Sequence, residues 1–241
     1  MHNGITNDLS YRSSITRPDF GKLNNYSYYL NRYSYQEGNP DLVSQITHSF
    51  NYSMQYKFLY LRLGYAYNKN YIGTYFYSSP TDSSSICNTW ANYKKEQELS
   101  AMLNIHHKFN FYEPSLMLYG AKRMLKVNVT DGTNSVHKPF FVIDSDNNFH
   151  LPANILLDIE YEYTSSGSSS YFIFHSMNIF NMSIQKSFLN DNLQLSMQVN
   201  DLFHNNISKY NGNINNISFY QKEDQDQRIF SVSLVYRFNN Y

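Results

Sequence analysis

The chain has 241 residues and carries 19 Lys+Arg against 19 Asp+Glu, a formal charge of zero that removes the electrostatic case for nucleic acid or acidic lipid as a partner. Aromatic residues reach 17% through 24 Tyr and 17 Phe, while charged residues stop at 16%, below the roughly 25% of an ordinary soluble domain. The lone Cys87 excludes a disulfide framework or a cysteine-based zinc site, and no stretch approaches the roughly 20 apolar residues of a membrane helix.

Met1 to Asp8 shows no basic start, apolar run or small-residue cleavage site, so these residues are not a signal peptide. Either the chain stays in the cytoplasm or its export signal lies upstream, and the rest of the sequence decides. From here on, period-2 alternation dominates. Ile46, Phe50, Tyr52 and Met54 oppose Gln45, Thr47, Ser49 and Asn51, and Leu59, Leu61, Leu63, Tyr65 and Tyr67 oppose Tyr60, Arg62, Gly64 and Ala66. Ile155, Leu157, Ile159, Tyr161 and Tyr163 oppose Asn154, Asp158, Glu160 and Glu162, with Leu156 as the exception. Phe180, Met182 and Ile184 then oppose Asn181, Ser183 and Gln185. Leu193, Leu195, Met197 and Val199 oppose Gln194, Ser196, Gln198 and Asn200, and Phe230, Val232, Leu234, Tyr236 and Phe238 oppose Ser231, Ser233 and Arg237, with Val235 breaking the polar side.

The alternation predicts ten strands, near 8–16, 42–55, 57–77, 86–109, 115–127, 139–150, 154–164, 172–188, 192–203 and 228–238. Most are longer than the five or six residues usual in soluble proteins. A tilted strand needs about 9–11 residues to cross hydrocarbon, where only a closed barrel leaves no backbone group unpaired. Short links at 55–57, 110–114, 151–154 and 189–192 alternate with long polar ones near 17–41, 78–86, 128–138, 164–171 and 204–227, the pattern of an outer-membrane barrel. Tyr and Phe gather at strand ends, as interfacial girdles do. A soluble β-sandwich also alternates, but strand length, loop asymmetry and girdles favour the barrel. The expected fold is all-β, an antiparallel transmembrane barrel segment of about ten long strands in one domain spanning 1–241.

No residue type here assembles a catalytic, cofactor or metal site. His106 and His107 are adjacent in a strand and point to opposite faces. Asp144-Ser145-Asp146-Asn147-Asn148 begins like a calcium loop but lacks its Gly, and its twelfth position is Ile155. The eight histidines accompany no Gly-x-Ser-x-Gly elbow, and there is no phosphate-cradling glycine motif. Asp158, Glu160 and Glu162 share one face at about 6–7 Å spacing and read as a solvated lumen wall. Ser165 to Ser170 reads as a loop. The chain is therefore expected not to be an enzyme.

Three stretches carry a resemblance. Gly38-Asn39-Pro40-Asp41-Leu42 follows Arg17-Pro18 and a Tyr-rich stretch; Lys186-Ser187-Phe188 and Asn200-Asp201-Leu202-Phe203 flank a turn; Ser231 to Phe238 closes the chain. Together they resemble, in the same order through most of the chain, the C-terminal part of TonB-dependent-receptor-like outer-membrane barrels of the Bacteroidetes type. That resemblance implies an outer-membrane location, solute capture or uptake of an unspecified ligand, lipid around the barrel, and a C-terminal strand read by the barrel-assembly machinery, although Asn239-Asn240-Tyr241 follows Phe238. Family members have a plug and about 22 strands, so about ten strands without a plug imply a partial, open barrel from a truncated chain. A small structural or adhesin-like barrel, or a remnant, is the alternative.

Overall fold

A computed structural model describes residues 4–79, 84–129, 132–169, 172–214 and 217–238. Its elements in chain order are β1 (Ile5–Thr16), a single helical turn α1 (Phe20–Leu23), β2 (Tyr28–Asn31), β3 (Ser34–Gln36), β4 (Gln45–Tyr56), β5 (Leu59–Ser78), β6 (Ile86–His106), β7 (Tyr112–Val129) and β8 (Gly132–Val136). They continue with β9 (Phe140–Leu151), β10 (Ile155–Thr164), β11 (Gly167–Ser169), β12 (Phe172–Phe174), β13 (Met177–Phe188), β14 (Leu193–Asn200), β15 (Ile207–Ile214), β16 (Ile217–Asp224) and β17 (Ile229–Tyr236). Ten of them form one antiparallel wall in the order β1-β4-β5-β6-β7-β9-β10-β13-β14-β17, the ten strands expected from the alternation.

The ladder keeps like faces together. Leu195 lies opposite Leu234 and Met197 opposite Val232, while Gln198 lies opposite Ser231. Leu61 lies opposite Leu103 and Met54, while Arg62 lies opposite Ser53 and Met102. One side of the wall is thus mainly apolar and the other mainly polar. The register also climbs. A path of directly paired residues starting at Ile5 runs through Tyr56, Leu59, Ile105, Leu116, Ser145 and Tyr161 to Phe180. Tyr56 is the turn end of β4, whereas Phe180 lies eight residues from Phe188, the turn end of β13. Eight residues at about 3.3 Å across the six steps from Tyr56 to Phe180, at about 4.8 Å each, give a strand tilt of about 43°, within the range barrels require.

All four short turns fall at one end of the wall. Three of them are closed without glycine by residues at positive φ, Lys57 at 51°, Ala153 at 62°, Asn154 at 55°, and Leu189, Asn190 and Asp191 at 53°, 53° and 69°. An aromatic chain runs across this end from Phe58 through His107 and Phe109 to Tyr112 and Phe149, with ring centroids 4.5–6.1 Å apart. At the other end the connections are more ordered than loops. The expected strand 172–188 is broken, because Phe172–Phe174 leaves the wall and pairs with β11 and β15 in a separate sheet of order β11-β12-β15-β16. Asn and Ser interrupt the alternation of β15, which is why 204–227 reads as a loop. The expected strand 192–203 stops at Asn200, where Asp201 turns the chain at φ 46° and its carboxylate accepts the N–H groups of Asn205 and Asn206 at 2.8 and 3.1 Å.

Among the described residues, no second layer covers the apolar side. Leu9, Met197, Phe230, Val232 and Leu234 are 49–81% exposed, and the fully buried apolar residues are few. Such a surface marks contact with something apolar outside the chain. The two wall edges, β1 and β17, are not paired with each other, so the barrel segment is open.

β5 and β6 outrun the rest of the wall at 20 and 21 residues. Asn70, at φ 52°, breaks the alternation, and above it the ribbon supports the β2–β3 hairpin. β3 pairs parallel with β6, setting Tyr35 opposite Cys87. The Gly38–Leu42 stretch fastens this loop. Asn39 donates its amide to the Trp90 carbonyl at 2.9 Å, Val43 and Asn92 exchange two hydrogen bonds at 2.8 and 3.0 Å, and Leu42 is buried. Beneath it Cys87 is fully enclosed, and burial pushes its thiol up, with Tyr77 and Tyr35 opposing and Glu37 reinforcing. Gly38 is required by close approach, since a Cβ there would sit 2.3 Å from the Asn24 carbonyl oxygen. Gly38→Ala should therefore loosen the hairpin by about 1–3 kcal/mol and speed thiol-reagent labelling of Cys87 at least about fivefold. Unchanged labelling would show that the loop is not what shields the thiol.

Candidate functional site: the polar wall

The polar side is held by two networks. In the first, Asn68 collects the donors of Gln45 and Thr47 at 3.2 and 2.6 Å and passes its own amide to Glu96 at 2.5 Å. Arg123 then bridges Glu96 at 2.9 Å and Glu98 at 2.8 Å. β4, β5, β6 and β7 each contribute one or more of these residues, and the Glu96 side chain is 2% exposed. A carboxylate so enclosed requires its counter-charge and hydrogen bonds together.

The second network is the acidic row. The short turn at 152–154 sets Asp146 opposite Glu160, Asp144 opposite Glu162 and Asn148 opposite Asp158. The Asp144–Asn148 stretch is therefore strand, not an ion-wrapping loop, and its carboxylates meet Asp158, Glu160 and Glu162 on one face. The ligand oxygens of Asp146, Asp158 and Glu160 all lie within 4.8 Å of one another, the group that could accept a hard cation. Asn181 donates to Glu160 at 3.0 Å, and Asp144, Asp146, Glu160, Glu162, Asn181 and Asp201 line a cleft of about 680 Å³. This wall attracts cations and repels anions.

The histidine pair divides as strand geometry demands, with His106 3.4 Å from Glu113 and His107 packed on Phe58 and Phe109. Ser165 and Ser168 are buried and tie the loop back, Ser165 accepting the Phe141 N–H at 2.9 Å and Ser168 donating to the Lys138 carbonyl at 3.2 Å; Ser170 lies outside the described residues. Asp201, from the Asn200–Phe203 stretch, works structurally, its N–H donated to Asn181 at 2.9 Å. Sequence reasoning missed the Glu96–Arg123–Glu98 bridge, whose carboxylates lie on β6 and whose arginine lies on β7. It also missed that Asp144 and Asp146 join the acidic row, although the short hairpin turn between the two runs carries that signal.

Arg123→Met should destabilise the folded chain by about 2–4 kcal/mol, because Glu96 stays buried without its counter-charge. Adding Glu96→Gln should recover much of the loss. Denaturant unfolding in detergent measures both, and a single variant as stable as wild type would remove the bridge from the account. Asp158→Asn should act oppositely, raising stability by about 0.5–1 kcal/mol through relief of like-charge crowding.

Residues 1–236 match the model of the outer membrane protein beta-barrel family. No match is found among curated proteins or among solved structures. With its two-faced antiparallel wall, tilted strands and one-sided turns, the chain belongs to the outer membrane protein beta-barrel family and resides in the outer membrane.

Proposed function

We propose that the chain is the C-terminal wall of a larger receptor-type barrel, similar to TonB-dependent receptors, that captures or passes solutes along its polar face and performs no chemistry. The observation that carries this reading is the pair of unpaired edges on a sheet already tilted like a barrel. The apolar side meets lipid, the C-terminal strand meets the assembly machinery, and the acidic row meets the solute, favouring cationic groups. Energised uptake needs a plug and a TonB-contacting segment in addition to this wall. The four-stranded sheet outside the wall supports a second reading, a surface adhesin built on a small barrel.

Three measurements bear on this. Met197→Arg should impair assembly more than Gln198→Arg, since Arg at mid-membrane on the lipid side costs about 2–4 kcal/mol; equal tolerance would end the lipid-facing assignment. An epitope tag at Asn190 should be hidden on whole cells and tags within 17–41 or 204–227 readable, and the reverse would invert the topology. The isolated chain should aggregate or recruit complementary strands, because unpaired backbone groups cost several kcal/mol each in hydrocarbon. A heat-modifiable, protease-resistant monomer with a crosslink between the neighbourhoods of Tyr11 and Leu234 would instead establish the small closed barrel.

A further inference from the structure

Five lysines gather where the apolar side of the wall ends. Lys69, Lys94, Lys95, Lys122 and Lys126 are all exposed, and none is ion-paired with a carboxylate of the described residues. Lys69 stands directly opposite Lys95 across the β5–β6 ladder. Glu96 pairs with Leu125 in the last rung of the β6–β7 ladder, and Lys126, the next residue of β7, lines the same groove as Lys69 and Lys95, so three strands bring an ammonium group to it. Like charges placed directly opposite destabilise a sheet unless something neutralises them. Lys69, Lys94, Lys95 and Lys126 line one groove with Tyr67 and Tyr75, of about 960 Å³.

The height of this row identifies what neutralises it. Below it on the same face lie Tyr67 and Gln97, then Tyr65 and Leu99, then Leu63 and Ala101, then Leu61 and Leu103. Lys69 is ten residues above Leu59, the turn end of β5. Ten residues rise about 33 Å along the strand and, at about 40° of tilt, about 25 Å along the membrane normal, the height of a barrel's apolar band. The lysine stems therefore leave hydrocarbon at its outer boundary and their ammonium groups reach the headgroup layer. The Asn70 kink begins one residue above, where the ribbon enters water. On the polar side at the same level, Arg123 is fully engaged by Glu96 and Glu98. Lys69, Lys95 and Lys126, by contrast, have no carboxylate partner among the described residues.

We propose that this lysine row is a binding site for phosphate-bearing lipid headgroups of the outer leaflet. The site rests on the reading that the apolar side meets lipid. Phosphate oxygens bridging Lys69, Lys95 and Lys126 would relieve their mutual repulsion, and the Tyr67 and Tyr75 rings would wall the sugar or glycerol portion.

The test uses the chain extracted from the outer membrane into detergent, with whatever completes its sheet, and exposed to a phosphorylated glycolipid, its dephosphorylated form, or inorganic phosphate. Each lysine beside an anionic layer contributes about fivefold, so Lys69→Gln/Lys95→Gln/Lys126→Gln should retain on the order of a hundredfold less phosphorylated glycolipid. The corresponding triple Arg variant should bind as wild type, and wild-type retention should fall with added salt. Equal retention of the two glycolipids, undiminished retention by the Gln variant, or retention indifferent to salt would overturn the proposal. Displacement by inorganic phosphate at matched concentration would also overturn it in favour of a simple anion site. Where the Gln variant does not assemble, the salt series and the glycolipid pair on wild type decide. The Met197→Arg comparison tests lipid contact without touching a lysine, so its failure is separable from failure of the headgroup site.

Discussion

Hydrocarbon offers no hydrogen bond, so every amide and carbonyl of a spanning segment must find its partner on a neighbouring strand. The antiparallel ladder is the answer to that constraint, and most of the molecule is organised by it. It forces side chains onto alternate faces, confines breaks in pairing to the two ends, and leaves any sheet edge as the costliest feature of the structure. The short turns show how strictly the ladder is kept, since six residues other than glycine accept positive φ there so that the strands turn at once. Where the constraint lapses, above Asn70, the strands bend, and elements beyond the wall form a second sheet.

Alternation also sorts charge, and this explains a composition that looks uninformative. The 19 basic and 19 acidic residues cancel in sum. They do not cancel locally, because Asp144, Asp146, Asp158, Glu160 and Glu162 share the polar face of two adjacent strands, while Lys69, Lys95 and Lys126 share the opposite face of three others. A zero net charge excludes a uniform field, not a cationic row on one face. The inference against acidic lipid drawn from net charge holds for the molecule's overall field and fails to address such a patch.

Much of the wall was legible because its signal has the period of its structure. Leu193 to Val199 alternates cleanly and Phe230 to Tyr236 does so but for Val235, and the ten-strand count and the placement of the short turns follow from such runs. The loop strands were not legible, since β15 and β16 are stabilised by pairing with each other and β15 with β12, while Asn211 and Asn213 in β15 and the charged end of β16 leave no long apolar stripe. The acidic cleft was half legible. One row, Asp158 to Glu162, shows in its own strand, but its partner row needs the hairpin register, which the tight turn at 152–154 supplies. The Glu96–Arg123 bridge needs the register of the long β6–β7 hairpin, which sets Arg123 opposite Glu98 far above the turn, where a small error in the turn's length would separate them.

The open edges connect energetics to function. A tilt of about 43° is what a closed cylinder demands, so the wall is curved stock for a barrel rather than a flat sheet that ends by choice. Self-closure of ten strands is sterically thinkable, since β1 and β17 both have their outer ends at the short-turn side, level with Tyr56 and Leu193. It would match twelve residues of β1 against eight of β17, leaving part of β1 unpaired. It would also give a narrow bore, because eight strands enclose only enough space for side chains and ten enclose little more. Arg62, Met102, Met117, Tyr119 and Arg123 already project toward that space by their place in the ladder. A cleft lined by five carboxylates would then be choked by its own walls. Further strands between the two edges would satisfy the backbone and widen the bore at once, and for that reason the proposed solute capture and the proposed larger barrel stand or fall together.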